Sequence, residues 1–187
     1  MIALHAESAQ KAGSAHYYSL LFMPYTRRLV REKTLQALYA LELSDDTKEH
    51  IFSYTIDQLR DDKDSHQFAR KLFQRCIEAQ QEIDPLIRAH VENWEFDRIA
   101  LIDKLLLRMT ITEMLFFEEI PPKVSINEAI EIAKKFSTEK SGMFVNAILD
   151  AILEQLKEEN RLNKRGRGLI DIGVHNVRSD KPDDKAT

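Results

Sequence analysis

The sequence predicts an all-α protein, a helical bundle of about seven helices, and three observations carry that prediction. Glycine is scarce: between Pro24 and Asn160 the chain has only Gly142, and sheets joined by tight turns need residues that tolerate positive φ. Apolar residues recur at three- and four-residue spacing through the same stretch, which is the period of an amphipathic helix. The breakers Ser44-Asp45-Asp46, Asp84-Pro85, Pro121-Pro122 and Ser137-Thr138 fall between these stripes. With 187 residues, 43% of them hydrophobic and 31% charged, the chain can bury a core as one domain or as two small ones.

The first 22 residues surround a short apolar run, Tyr17 to Phe22, with small and polar residues. The run is too short for a secretory leader and no small-x-small cleavage site follows it. Residues 1–23 read as a flexible extension, with Met23 as an alternative start. Arg27 to Leu43 has no breaker and carries Leu35, Leu38 and Tyr39 on one stripe. Phe52, Ile56 and Leu59 make a second stripe, and Phe68, Leu72, Phe73 and Cys76 a third. Asp84-Pro85 reads as a helix start, with Asp as cap and Pro in the first turn. Leu86, Ile87, His90 and Val91 follow on one face.

Arg98 to Phe117 is long and apolar, with 13 of its 20 residues hydrophobic. Asp103, Lys104, Arg108 and Glu113 interrupt it, too many charges for a bilayer span. It reads as a central helix packed on most sides, with no membrane partner. Beyond Pro121-Pro122, Ser125 and Glu128 have the spacing of a capping box, opening a helix that buries Ile126, Ala129, Ile130 and Ala133. A last helix carries Phe144, Ile148, Ala151 and Ile152. The expected body is 24–157, with subdomains of about 24–80 and 81–157. Residues 158–187 are charged, hold three glycines and lose helical periodicity after about Leu162. They read as a disordered tail whose Arg161, Lys164, Arg165 and Arg167 add a nonspecific contact to RNA. There is no internal repeat and no sustained heptad.

The chemistry of most enzymes is missing. One cysteine excludes an intramolecular disulfide framework and a multi-cysteine zinc site. Cys76 sits on an apolar stripe and reads as an inert buried thiol. The six histidines show no metal-ligand spacing, and His90 reads as a core histidine. There is no glycine-rich phosphate loop. The pairs Asp45-Asp46, Asp61-Asp62 and Glu118-Glu119 read as solvated surface. No nucleophile, base and oxyanion site assemble, so the chain reads as a binding protein with no catalytic residue, cofactor or metal.

Charge singles out one place. The net charge is −4, yet residues 24–36 carry Arg27, Arg28, Arg31 and Lys33 against Glu32 alone. On a helix, 27 and 31 are neighbours, as are 28 and 31. Three guanidinium groups would then project near a helix N-terminus, where anions are favoured. Each can fork onto a phosphate or stack on a base. A solvated basic first turn is the alternative.

The run Arg27-Arg28-Leu29-Val30-Arg31-Glu32-Lys33-Thr34-Leu35-Gln36-Ala37-Leu38-Tyr39 resembles the opening helix of the NusB family of bacterial transcription antitermination factors. Lys123-Val124-Ser125-Ile126-Asn127-Glu128-Ala129-Ile130-Glu131-Ile132-Ala133-Lys134-Lys135-Phe136 is similar to a second family run, continued by Phe144-Val145-Asn146-Ala147-Ile148-Leu149-Asp150. Asp103-Lys104-Leu105-Leu106-Leu107-Arg108 fits the family's central helix. The resemblance covers roughly 24–156, with 44–97 matching only in helical pattern.

It implies two packed helical subdomains and a cytoplasmic factor that needs no cofactor. That factor binds single-stranded boxA RNA of ribosomal RNA transcripts as a heterodimer with ribosomal protein S10. The pair joins an antitermination complex on RNA polymerase. The resemblance assigns Arg27, Arg28, Arg31, Lys140 and Phe144 to RNA, and Tyr39 and Asp103 to S10. Tyr39 and Phe144 also have packing readings on their own stripes. Leu29 stands where the family often has another basic residue, and Lys140 where relatives often have an acidic one. Ala147 replaces a usual glycine. Some members dimerise, so a homodimer stands beside the heterodimer as an alternative state. An RNA cytosine methyltransferase would need a cofactor-binding unit that this chain does not contain. A helical protein–protein adaptor without RNA binding is the remaining alternative.

Overall fold

The computed structural model describes residues 25–91 and 96–170. The described residues form seven α-helices and three short 3-10 turns, with no strand among them. They divide into two compact units, one up to Gln74 and one from Arg75 onward. The division falls inside a helix, some residues before the expected boundary at 80/81.

The first unit begins with α1, Arg27–Leu43. Thr26 caps it, its Oγ1 accepting the Leu29 N–H at 3.2 Å. Val30, Leu35, Ala37 and Leu38 are buried. Tyr39, which shares their stripe in the sequence, is 38% exposed. α2, Lys48–Ile56, is capped by Thr47 and buries Ile51, Phe52 and Ile56. It runs into a 3-10 turn at Asp57–Leu59. α3, Lys63–Glu78, is capped by Asp62. Its Oδ1 accepts the Asp64 and Ser65 N–H groups and its Oδ2 accepts the Ser65 hydroxyl at 2.7 Å. The Ser65 hydroxyl, then the backbone amides, hold the Asp62 carboxyl below its ordinary value. Asp62 is therefore a cap, not merely a solvated acid. Phe52 packs edge-on against His66 at 5.5 Å and tilted against Phe73 at 5.8 Å.

The second unit corrects two expected helix starts. α4 is Gln80–His90, and Pro85 lies inside it. The Ala79 carbonyl accepts from Glu82 and Ile83, so the helix has begun before Asp84 is reached. Asp84 instead makes a two-pronged ion pair with Arg108, at 2.7 Å to Nε and 2.8 Å to Nη2. α5 is Leu101–Phe116, and every residue from Leu105 to Met114 is buried, as the central-helix reading expects. Its interior hydroxyls, Thr110 and Thr112, donate back to Leu106 O and Arg108 O.

α6 is Pro122–Phe136. Pro122 occupies the first turn, where its missing N–H costs nothing, and Ser125 already donates its N–H to Pro121 O. Ser125 is thus not a cap. Its hydroxyl points inward and donates to Glu113 Oε2 at 2.7 Å. α7, Glu139–Glu158, is capped by Thr138. Its buried face is Val145, Ile148, Leu149, Ile152, Leu153 and Leu156. Ala151 is exposed and Phe144 half-buried, so the expected stripe is rotated. α6 and α7 pack on each other, and both pack on α5.

Part of the expected disordered tail is ordered. Asn160, at φ 53°, ends α7 in a left-handed turn. Asn160 N–H bonds Lys157 O and Arg161 N–H bonds Leu156 O, the paired closure of a Schellman motif. The chain then turns back as an arm to residue 170. Lys164, expected to face RNA, is 7% exposed. Its ammonium donates to the carbonyls of Phe117 at 2.7 Å and Glu113 at 3.1 Å, closing the C-terminus of α5. Arg165 N–H donates to Glu118 O at 2.9 Å. The Glu118 carboxylate takes Asn163 Nδ2 at 2.8 Å and Arg165 Nε at 3.0 Å, so this acid too is structural. Arg161 pairs with Glu82 at 2.6 Å. A Cβ at Gly168 would meet Glu118 O at 1.9 Å; the arm lies that close. The flexible extension expected over 1–23, with Met23 as an alternative start, and the remainder of the expected tail, 171–187, lie outside the described residues.

Candidate nucleic-acid interface

In the first unit the interface is built on the N-terminus of α1. The Thr26 cap fixes the first turn, and no acidic residue sits in it. Arg27 and Arg28 are both exposed. Two cations at the positive end of a helix dipole leave that end without its natural counter-charge. α3 supplies what the sequence analysis did not anticipate. Phe68 lies beneath the arginines, with Arg27 Cζ 4.6 Å and Arg31 Cζ 5.4 Å from its ring centre. Asp64, in the first turn of α3, accepts from Arg27 Nη2 at 2.6 Å.

Arg31 departs from the expected geometry. It is 4% exposed, so the three guanidinium groups do not all project. One turn below Arg27, it lies over the same ring and is covered. Lys33 Nζ and the Tyr25 hydroxyl donate to Gln58, at 3.1 Å to its Oε1 and 3.2 Å to its backbone oxygen. These bonds tie the beginning of α1 to the end of α2. Nothing local in the sequence links position 27 to 64 or 68. The only signal for Phe68 was its place on an apolar stripe.

Further along α1, Tyr39 and Leu43 stand one turn apart, and Leu43 is 63% exposed. The structure thus leaves two apolar side chains exposed on one helix face.

In the second unit, Lys140 and Phe144 lie one turn apart at the start of α7. Lys140 is exposed, Phe144 half-buried, and Met143 between them 67% exposed. Ser137, Thr138 and Ser141 hydroxyls bond one another at 2.9 Å and hold this first turn. Asp103 sits in the first turn of α5 and is 6% exposed. Its Oδ1 is buried with no hydrogen-bond partner among the described residues, an expensive arrangement for a carboxylate.

Other chemistry remains sparse. Among the described residues no three His, Cys, Asp or Glu side chains could hold a metal ion. No described helix is long and apolar enough to cross a membrane. Cys76 is buried, and burial pushes its thiol up to about 12.

The chain is similar to known proteins in sequence and in fold. The model of the NusB family matches residues 28–154. The transcription antitermination protein NusB of Salinibacter ruber is 49% identical over 146 residues, 78% of this chain and 91% of that protein. The structure of Thermotoga maritima NusB superposes with a TM-score of 0.66 at 37% identity, covering 71% of this chain and 94% of that one. A structure of the antitermination factors NusB and NusE in complex with double-stranded RNA superposes with a TM-score of 0.63. That likeness is at 26% identity and covers 69% of this chain and 96% of that one.

Proposed function

The chain belongs to the NusB family, and from that premise we propose that it is a cytoplasmic transcription antitermination factor that binds boxA RNA together with ribosomal protein S10. The pair would join the antitermination complex on RNA polymerase. The observation that carries the reading is the arginine cluster at the capped start of α1, folded over Phe68. It offers an anionic strand what it needs: fixed cations, a helix N-terminus and no competing acid in the same turn.

The residues divide the work by exposure. Arg27 and Arg28 reach solvent and take phosphates or stack on bases. Arg31, covered over Phe68, adds positive field and keeps the cluster in shape. In the second unit, Lys140 approaches phosphate and the open side of Phe144 stacks on an unpaired base. Tyr39 and Leu43 give S10 an apolar surface. The buried, unpartnered Oδ1 of Asp103 supports an arginine or lysine from S10 as its counter-ion. Binding changes no covalent bond: the protein acts by holding RNA and partner together.

The test is a titration of fluorescent boxA RNA and a scrambled RNA of equal length, with and without S10. Tighter binding to boxA that S10 strengthens, and that Arg28→Ala weakens, is the expected result. Equal weak binding to both RNAs, indifferent to S10, would favour the protein–protein adaptor. For the partner surface, Asp103→Asn should weaken S10 binding while leaving the protein's own RNA binding unchanged.

A further inference from the structure

We propose that Asp64 is a built-in stand-in for RNA phosphate, which holds Arg27 until RNA displaces it. The inference rests on the RNA reading of the α1 cluster and adds to it a residue that sets the affinity. Arg27 lies at the positive end of α1, where a cation is unfavourable and an anion is wanted. The first turn of α1 supplies no acid. The anion comes instead from Asp64, 37 positions away in sequence, which accepts from Arg27 Nη2 at 2.6 Å.

The alternative role for Asp64, aiming Arg27 productively, is already filled. The Phe68 ring, its centre 4.6 Å from Cζ, gives the guanidinium a contact that does not need Asp64. What the carboxylate does is occupy one of the N–H groups that a phosphate would use. It is also built to be displaced. The pair is open to solvent, with side-chain exposures of 45% for Arg27 and 81% for Asp64, so it is screened and weak. Once released, the Asp64 carboxylate stays solvated in the first turn of α3, where the helix dipole favours it. Asp62, not Asp64, accepts the capping hydrogen bonds of that helix, so the cap does not depend on the Asp64 side chain.

The experiment compares wild type, Asp64→Asn, Arg27→Ala and the double variant, each titrated with boxA RNA and with scrambled RNA at several salt concentrations. Asp64→Asn should tighten binding about threefold, the scale of an exposed ion pair. The factor should be the same for both RNAs, because Arg27 there meets backbone and not base. The slope of log affinity against log salt should stay the same, because RNA displaces Asp64 from wild type too and Arg27 meets one phosphate in either complex. In the Arg27→Ala background the gain should vanish. Unchanged or weaker binding by Asp64→Asn would overturn the proposal and make Asp64 a positioning residue. So would a gain that survives Arg27→Ala, since that is a general charge effect. If wild type binds neither RNA, the RNA reading falls and this inference with it. If wild type binds in an Arg28-dependent way and Asp64→Asn does not tighten it, only the inference falls.

Discussion

Changing Asp84 to asparagine removes one charge from a pair that the second unit has drawn out of water. Arg108 is held at Nε and Nη2 by the two Asp84 oxygens, at 2.7 and 2.8 Å. The side chains are 8% and 18% exposed, so solvent screens the pair little. Breaking such a pair from one side costs roughly 3–5 kcal/mol, because the remaining ion stays desolvated. Asparagine keeps the shape and one acceptor, which places the expected loss near 3 kcal/mol, the low end of that range. With a urea m-value of about 2 kcal/mol/M, the unfolding midpoint should fall by about 1.5 M, read by circular dichroism at constant m. The exposed pair Lys134–Glu131, equally short at 2.7 Å but half-exposed on both sides, is the control. Glu131→Gln should cost less than about 0.5 kcal/mol. The double change Asp84→Leu/Arg108→Met should recover most of the loss, since an apolar pair of similar volume carries no desolvation penalty. A loss below about 1 kcal/mol for Asp84→Asn would mean that the pair behaves as a surface bridge, and the burial argument would fail.

Lys164 should make stability rise with alkalinity. Burial, opposed by Glu113, Glu119 and Glu118, pulls its ammonium down to about 8 from an ordinary 10.5. Between those values the unfolded chain holds the proton and the folded one does not, so unfolding takes up a proton and stability grows with pH. Urea midpoints from pH 7.5 to 10.5 should climb more steeply for wild type than for Lys164→Met. Parallel profiles would count against the shift. Gly168→Ala should lift the arm, because its Cβ would enter the Glu118 carbonyl at 1.9 Å. Trypsin should then cut at Arg165 and Arg167 faster while the helices keep their amide protection. Ser125→Ala should cost about 1–3 kcal/mol, from a buried Glu113 oxygen that loses a 2.7 Å bond. Cys76 should stay unmodified by iodoacetamide at pH 8 in the native state and react once urea unfolds the chain.

The helices were legible where burial follows a period. Leu35 and Leu38 announce their face through spacing, Leu105 to Met114 announce a helix covered all round through the length of the apolar run, and the structure buries them. The misread starts share one cause. Asp84-Pro85 and Ser125 carry good local start signals, but the backbone had already entered helix at Gln80 and Pro122, and a helix in progress overrides a cap. The arm was illegible for a different reason. It is held by backbone carbonyls, one lysine and a glycine that permits close approach, none of which leaves an apolar period. At the arginine cluster, helical spacing correctly made 27 and 31 neighbours. It could not reveal Phe68 and Asp64 on α3, so it exposed Arg31 when the fold covers it. The ring separates the three positions in what they tolerate. Lysine at 28 keeps the charge a phosphate meets, whereas positions 27 and 31 call for a flat, weakly hydrated cation that can lie over Phe68.

The ammonium of Lys164 also sets an order of events at the ribosome. The carbonyl of Phe117 takes the nearby Ile120 N–H and gains a second donor, the Lys164 ammonium, only 47 positions downstream. At 5–20 residues per second, that interval lasts roughly 2–9 s. For those seconds α5 can coil but its end lacks the ammonium that clasps it, so the second unit is completed only once Lys164 has been made. A nascent chain stalled before Lys164 would carry every long helix and still lack the clasp, a distinct target for chaperones and proteases.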